Sequence, residues 1–407
     1  MSRKSVLSAV SASNGAFEAA LRRLAAQQQH RSFTSTPQRN ANVTQFTPCS
    51  TPALNDLLTD IRTKIILPSY LPKDQRKKIY SRKWEKKLQA DPIIIEIDGE
   101  VFKFRYQNPL TDIPSTHKSL CHAISQFQTP EDFANLKPLL EGIHHTGRKI
   151  FPSSYAKIMR LVGSKGHVYD LIDCARSVSR TGYKFDTSEV VNMVLYFVQM
   201  KARDADWDID QTRQALRWAE MVVELLHEEA HQPKRSKRDP VIPGEIPLNR
   251  DPVVLAAPLH LAAILAARAK AGEEIRETTA EELLEKVDKL GRDVVALWPE
   301  GRKMKELQPA ELYANFDKMG YFLRPGKFVI LAVPLLHGLE AAVKVAEPEL
   351  ASQLQTRCDT LKAEIEEARA AMAEIKKARV EAAKTEDRAF FSQEWRYEIV
   401  YRKFYGA

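Results

Sequence analysis

His227-Glu-Glu-Ala-His231 has the spacing at which two histidines one helical turn apart hold a zinc ion while the first glutamate serves as general base. Its surroundings argue against that chemistry. Glu229 puts a charge where a buried metal-binding helix needs an uncharged residue, and Pro233 ends a helix two residues after His231. The run reads as the polar C-terminus of a surface helix. His144-His145 reads the same way, as imidazoles at a helix end where the dipole favours them. Gly163-Ser-Lys-Gly166 has the wrong spacing for a phosphate loop. The sequence holds no nucleophile elbow and no dinucleotide fingerprint, and Cys49, Cys121, Cys174 and Cys358 form no CxxC pair. The expectation is a protein that is not an enzyme, with no cofactor, no bound metal and no small-molecule substrate.

The residues that do suggest chemistry are cationic. Between positions 62 and 88 stand Arg62, Lys64, Lys73, Arg76, Lys77, Lys78, Arg82, Lys83, Lys86 and Lys87, against only Asp74 and Glu85. A solvated helix face interleaves acids with bases for i,i+4 pairing, which this stretch does not do. Tyr70, Tyr80 and Trp84 are set among these cations. The predicted role of the ten basic residues is contact with the phosphates of a polyanion, which positions a protein on RNA without reading its bases.

The elements that must carry this block follow from spacing. Leu57, Leu58, Ile61 and Ile65 predict a helix over 56–66, and Pro68 and Pro72 predict an extended link after it. Ile79, Tyr80, Trp84 and Leu88 predict a second helix over 74–88. Asp98-Gly99 between Ile93–Ile97 and Val101–Tyr106 predicts a β-hairpin with an aromatic face (Phe102, Phe104, Tyr106) and a basic one (Lys103, Arg105).

From Thr116 the pattern is helical. Thr146-Gly147 recurs as Thr181-Gly182 after 35 residues, and Ile124, Leu136 and Leu140 recur as Met159, Leu171 and Ala175. Helices are predicted at 155–162, 168–180, 190–200 and 210–227, then in pairs at 253–271 with 279–298 and at 310–319 with 327–345. Leu354, Cys358, Leu361, Ile365, Ala368, Met372, Ile375, Arg379 and Ala382 form a heptad seam. It predicts a long helix docked on another surface. The tail to Tyr405 carries seven aromatics from Phe390 on, and is expected to dock on the body or on a partner.

The expected divisions are a targeting segment (1–40), a basic arm with the hairpin (41–115), helical repeats (116–231), a Pro-rich basic linker (232–252), a second helical region (253–346) and the heptad helix with its tail (347–407). Residues 1–40 contain six basic residues and one acid, so they hold five of the eight net positive charges of the chain. Phe17, Ala20, Leu21 and Leu24 share one helical face, the composition and amphipathicity of a mitochondrial transit peptide. Arg31 precedes an expected cut after Ser32, with a second after Asn40. At 44% hydrophobic and 28% charged, the 407-residue chain excludes a multi-pass membrane protein, and no stretch reaches 18 uninterrupted apolar residues.

The segment Ser154-Tyr-Ala-Lys-Ile-Met-Arg-Leu-Val-Gly-Ser-Lys-Gly-His-Val-Tyr-Asp-Leu-Ile-Asp-Cys-Ala-Arg-Ser-Val-Ser-Arg-Thr-Gly-Tyr-Lys-Phe-Asp186 resembles a pentatricopeptide repeat. The likeness implies a mostly α fold of stacked helical hairpins over 116–228, with the β-hairpin before it and the heptad helix after it. In base-reading members the residue after the first-helix tyrosine contacts the base; here it is Ala156, which has no hydrogen-bonding group. The whole design is similar to accessory subunits of mitochondrial ribosomes of the fungal type, with the small subunit favoured. That resemblance implies a structural constituent of the mitochondrial ribosome in the matrix, with mitochondrial rRNA and neighbouring ribosomal proteins as partners and no membrane span. Two alternatives are a free pentatricopeptide factor for one mitochondrial transcript and an assembly factor for a respiratory complex.

Overall fold

The computed structural model describes residues 43–233, 242–383 and 393–406. The targeting segment, the cluster Lys234–Arg238 and the pair Phe390-Phe391 lie outside the described residues.

The fold is mostly helical with one small antiparallel sheet. Helix α1 (Pro52–Ile61) starts at Thr51, whose hydroxyl caps Leu54 N, and buries Leu54, Leu58 and Ile61. The extended link expected after it is confined to Leu71 and Pro72. A π-helical turn (Arg62–Ile66) and a 3-10 turn (Leu67–Tyr70) carry the coil onward, because Pro68 falls in the first positions of a turn, where its missing N–H costs nothing. The helix expected over 74–88 is likewise divided. It forms α2 (Lys73–Ile79), a 3-10 turn (Arg82–Trp84) and α3 (Glu85–Ala90), so that Ile79 and Leu88 are both buried despite the broken period.

Strands β1 (Ile93–Ile97) and β2 (Glu100–Phe104) pair in antiparallel register, Ile93 with Phe104 and Ile97 with Glu100. Asp98 and Gly99 both take positive φ (53° and 81°), the mirror-image turn whose twist matches the strands. Phe104 is buried, whereas Lys103 and Arg105 are exposed.

Helices α4 (Thr116–Gln126), α5 (Pro130–Ala134), α6 (Leu136–His145), α7 (Pro152–Gly163), α8 (Val168–Arg176), α9 (Val178–Thr181), α10 (Ser188–Asp204) and α11 (Ile209–Leu225) follow. The helix expected over 168–180 is interrupted at Ser177. Helices α4, α7 and α10 pack in succession, as do α6, α8 and α11. The two Thr-Gly stops have one geometry. The hydroxyls of Thr146 and Thr181 accept from the backbone N–H two residues on (both 3.1 Å), and Gly147 and Gly182 take φ of 69° and 66°. Before α6, Asp132 clamps the incoming chain. Burial pushes its carboxyl up, but hydrogen bonds from Ser50, Gln128 and Thr129 outweigh that and hold it at about 2.

Two apolar helices, α12 (Pro252–Lys270) and α15 (Pro325–Val345), form the second core. They are long and apolar enough to cross a membrane, but 78% and 72% of their apolar windows are buried within the protein. Between them lie α13 (Ala280–Leu297), with a Thr279/Glu282 capping box, and α14 (Ala310–Ala314). The helix expected over 310–319 stops at Ala314 and gives way to a π-helical turn, Phe316–Gly320. The heptad helix, α16 (Pro348–Ala382), packs on α13 and α15. Leu354, Cys358, Leu361, Ile365 and Ala368 are buried, but Ile375, Arg379 and Ala382 are exposed, so the seam is used over only part of its length. Helix α17 (Arg396–Tyr405) docks the described part of the aromatic tail on the body, against α15, with Tyr401 beneath the Arg369 guanidinium at 3.6 Å and Trp395 beneath Arg379 at 5.4 Å.

Candidate nucleic-acid interface

The ten predicted contact residues divide into two groups. Arg62 is a tether: its Nε donates to Thr44 O (2.7 Å), its Nη2 bonds Glu100 Oε2 (3.0 Å), and it lies over the Phe102 ring at 5.5 Å. It ties the first helix to the hairpin. Lys64 pairs with Asp60 one turn back at 2.8 Å. Among the described residues, Lys73, Arg76, Lys77, Lys78, Arg82, Lys83, Lys86 and Lys87 have no carboxylate partner; Lys73, Lys77, Arg82, Lys83, Lys86 and Lys87 are exposed and Arg76 and Lys78 partly so.

The way the arm folds explains this outward display. Ile79 and Leu88 anchor its two helices, and each cation lies off those anchoring positions. The ammonium groups of Lys78 (5.1 Å) and Lys87 (5.4 Å) lie over the Trp84 ring. Tyr70 stacks on His145 at 4.4 Å. Burial, and then the nearby Arg76 and His144, depress the His145 pKa. A neutral imidazole therefore stays stacked there at physiological pH. In composition the arm is an aromatic-studded basic block. Composition does not show that Trp84 carries two ammonium groups and that Tyr70 stacks on an imidazole, because their cover comes from other turns and from α6.

The rejected motifs have structural explanations. Helix α11 ends at Leu225, and His231 lies in a separate 3-10 turn (Glu229–His231), buried, with its Nδ1 accepting from Phe185 N at 3.0 Å. His227 is exposed and lies 3.1 Å from Asn249 Nδ2. The two histidines are not on one helical face. In the Gly163–Gly166 turn, Lys165 Nζ donates to Ser125 O at 2.7 Å and to Phe127 O, closing the end of α4. Ala156 is only 2% exposed, so the position that contacts a base in base-reading repeats is turned into the core.

Two comparisons bear on this arrangement. The family described as "Mitochondrial ribosomal protein mS27" matches residues 31–392. The small ribosomal subunit protein mS27 of Neurospora crassa is 35% identical over 350 residues, covering 83% of this chain and 87% of that protein.

Proposed function

We infer the role of the arm from one premise: the chain belongs to the mitochondrial ribosomal protein mS27 family and is a structural constituent of the small subunit of the mitochondrial ribosome. The protein is not an enzyme, and its place of work is the mitochondrial matrix. Its partners are rRNA and other ribosomal proteins. Membership in this family takes the place of the free transcript factor and the respiratory-complex assembly factor. Within that role the basic arm is the part of the chain that holds rRNA, through Lys73, Arg76, Lys77, Lys78, Arg82, Lys83, Lys86 and Lys87.

The observation that supports this reading is the set of eight cations that have no carboxylate partner among the described residues, on two short helices, each anchored by a single apolar residue, and the 3-10 turn between them. Helices built for stability pair such charges. Left unpaired, they repel one another unless an external polyanion neutralises them, and each neutralised phosphate releases counterions. Arg62 and Lys64 drop out of the contact set because both are engaged within the chain.

Replacing Arg76, Lys77, Lys78, Arg82 and Lys83 together by Gln tests the reading. The variant should keep the wild-type circular dichroism spectrum and lose co-sedimentation with small ribosomal subunits as salt is raised. Its slope of log K against log salt should be flatter by up to about 4. Co-sedimentation equal to wild type across the salt series would make the arm an ordinary solvated surface.

A further inference from the structure

We propose that the outward face of the β-hairpin belongs to the same phosphate-binding surface as the arm, with Lys103 and Arg105 as further RNA-backbone contacts. This rests on the reading of the arm given above. The hairpin packs its aromatic side inward: Phe104 is buried and Phe102 lies beneath Arg62. Alternation then forces Lys103 and Arg105 to the opposite side, and both are exposed. Among the described residues neither has a carboxylate partner.

The hairpin is joined directly to the arm. Gln107 N donates to Ile79 O at 2.8 Å, fixing the chain just past β2 against the end of α2, beside Lys77 and Lys78. Two residues of extended chain span about 7 Å, so Arg105 starts within about one Debye length of that junction. A second bond holds the ribbon from its other end, where Arg62 binds Glu100. Charge is graded along the ribbon as well. Glu96, Asp98 and Glu100 gather at the turn, and Lys103 and Arg105 lie at the open end next to the arm. The positive surface therefore runs from the arm onto the open end of the ribbon and stops toward the turn.

The ligand class follows from what the surface presents. The Trp84 ring is covered by two ammonium groups, Tyr70 by His145 and Phe102 by Arg62. These rings are not offered for stacking on unpaired bases, which single-strand recognition uses. The exposed charges of the arm and of the ribbon's open end are cationic, with Ile94 and Val101 exposed beside them on the ribbon, and cations read the phosphate backbone. An RNA duplex, whose grooves present closely spaced phosphates and no unstacked base, is the partner that this surface fits.

The test uses the full chain and an A-form RNA duplex of about 16 base pairs. Lys103→Gln with Arg105→Gln should weaken binding several-fold near 150 mM salt and lower the salt slope by about 2. Lys103→Arg with Arg105→Lys should bind as wild type does. A charge-matched control, Lys362→Gln with Lys377→Gln on α16, should leave binding unchanged. If the hairpin pair has no effect while the five-fold arm variant does, the extension onto the hairpin is wrong and the reading of the arm stands. If the arm variant also binds like wild type, both are overturned.

Discussion

Gly338 shows how one residue sets the spacing of the second core. A Cβ there would lie 2.4 Å from His260 Cβ and 3.0 Å from its Cα, so α12 and α15 approach as closely as they do only because no side chain intervenes. Backbone cannot yield as a flexible side-chain tip can. Gly338→Ala should therefore destabilise the protein by about 3 kcal/mol, read as a shift of the chemical-denaturation midpoint. The contact is invisible in the sequence, where Gly338 is one glycine inside an apolar helix and its partner is far away along the chain. Arg62 carries a similar lesson. By composition it belongs with the cationic block, and tertiary packing makes it the tie between the first helix and the hairpin.

The same close approach lets His260 and His337 meet. Gln199 donates its amide N–H to Leu195 O (3.2 Å) and so turns its oxygen toward His260 Nδ1 at 2.8 Å. That fixes the proton on Nδ1 and leaves Nε2 to accept from His337 Nδ1 at 2.9 Å. With both rings protonated two N–H groups would face each other across this bond, so the chain excludes the doubly charged pair. Burial, then Lys344 and Arg203, depress His337 to about 4, and burial followed by His337 holds His260 well below its ordinary value. As pH falls from about 6.5 toward 4, the unfolded chain takes up protons that the folded rings refuse, so stability is lost over that window. His337→Gln removes that group's share. The stability gap between wild type and this variant should narrow by on the order of 1–2 kcal/mol between pH 7.5 and pH 5. A constant gap would contradict the neutral chain.

At the scale of elements, local rules were the legible part. Asp98-Gly99 produced the expected turn, and the two Thr-Gly stops fell where the 35-residue spacing put them, with matching hydroxyl bonds. The cationic block was legible because composition and charge need no contact map. Elements that depend on neighbours were less legible. Pro68 continues a helical path as a 3-10 turn, and the basic helix breaks at Tyr80 and Ser81 so that Ile79 and Leu88 can both be buried. Periodicity extends the heptad seam to Ala382, but the underlying surface ends earlier. Met372 meets Gly326 at the start of α15, and beyond it Ile375 is already exposed. A seam read from sequence cannot show where its partner stops.

At the scale of the molecule, successive helices build a body whose N-terminal side carries a charged arm and ribbon, while its apolar helices are kept inside. Helix α17 closes the C-terminal side: Phe404 lies against Trp207 and His337, and Arg203 donates to Lys403 O at 2.7 Å. The central claim is that this body meets rRNA through the arm and the adjoining ribbon. Ultraviolet crosslinking of intact mitochondrial small subunits, followed by mass spectrometry of nucleotide-bearing peptides, tests it most directly. The expected result is nucleotide adducts on peptides from residues 73–90 and 103–105. Adducts confined to other parts of the chain, with these peptides recovered unmodified, would contradict it.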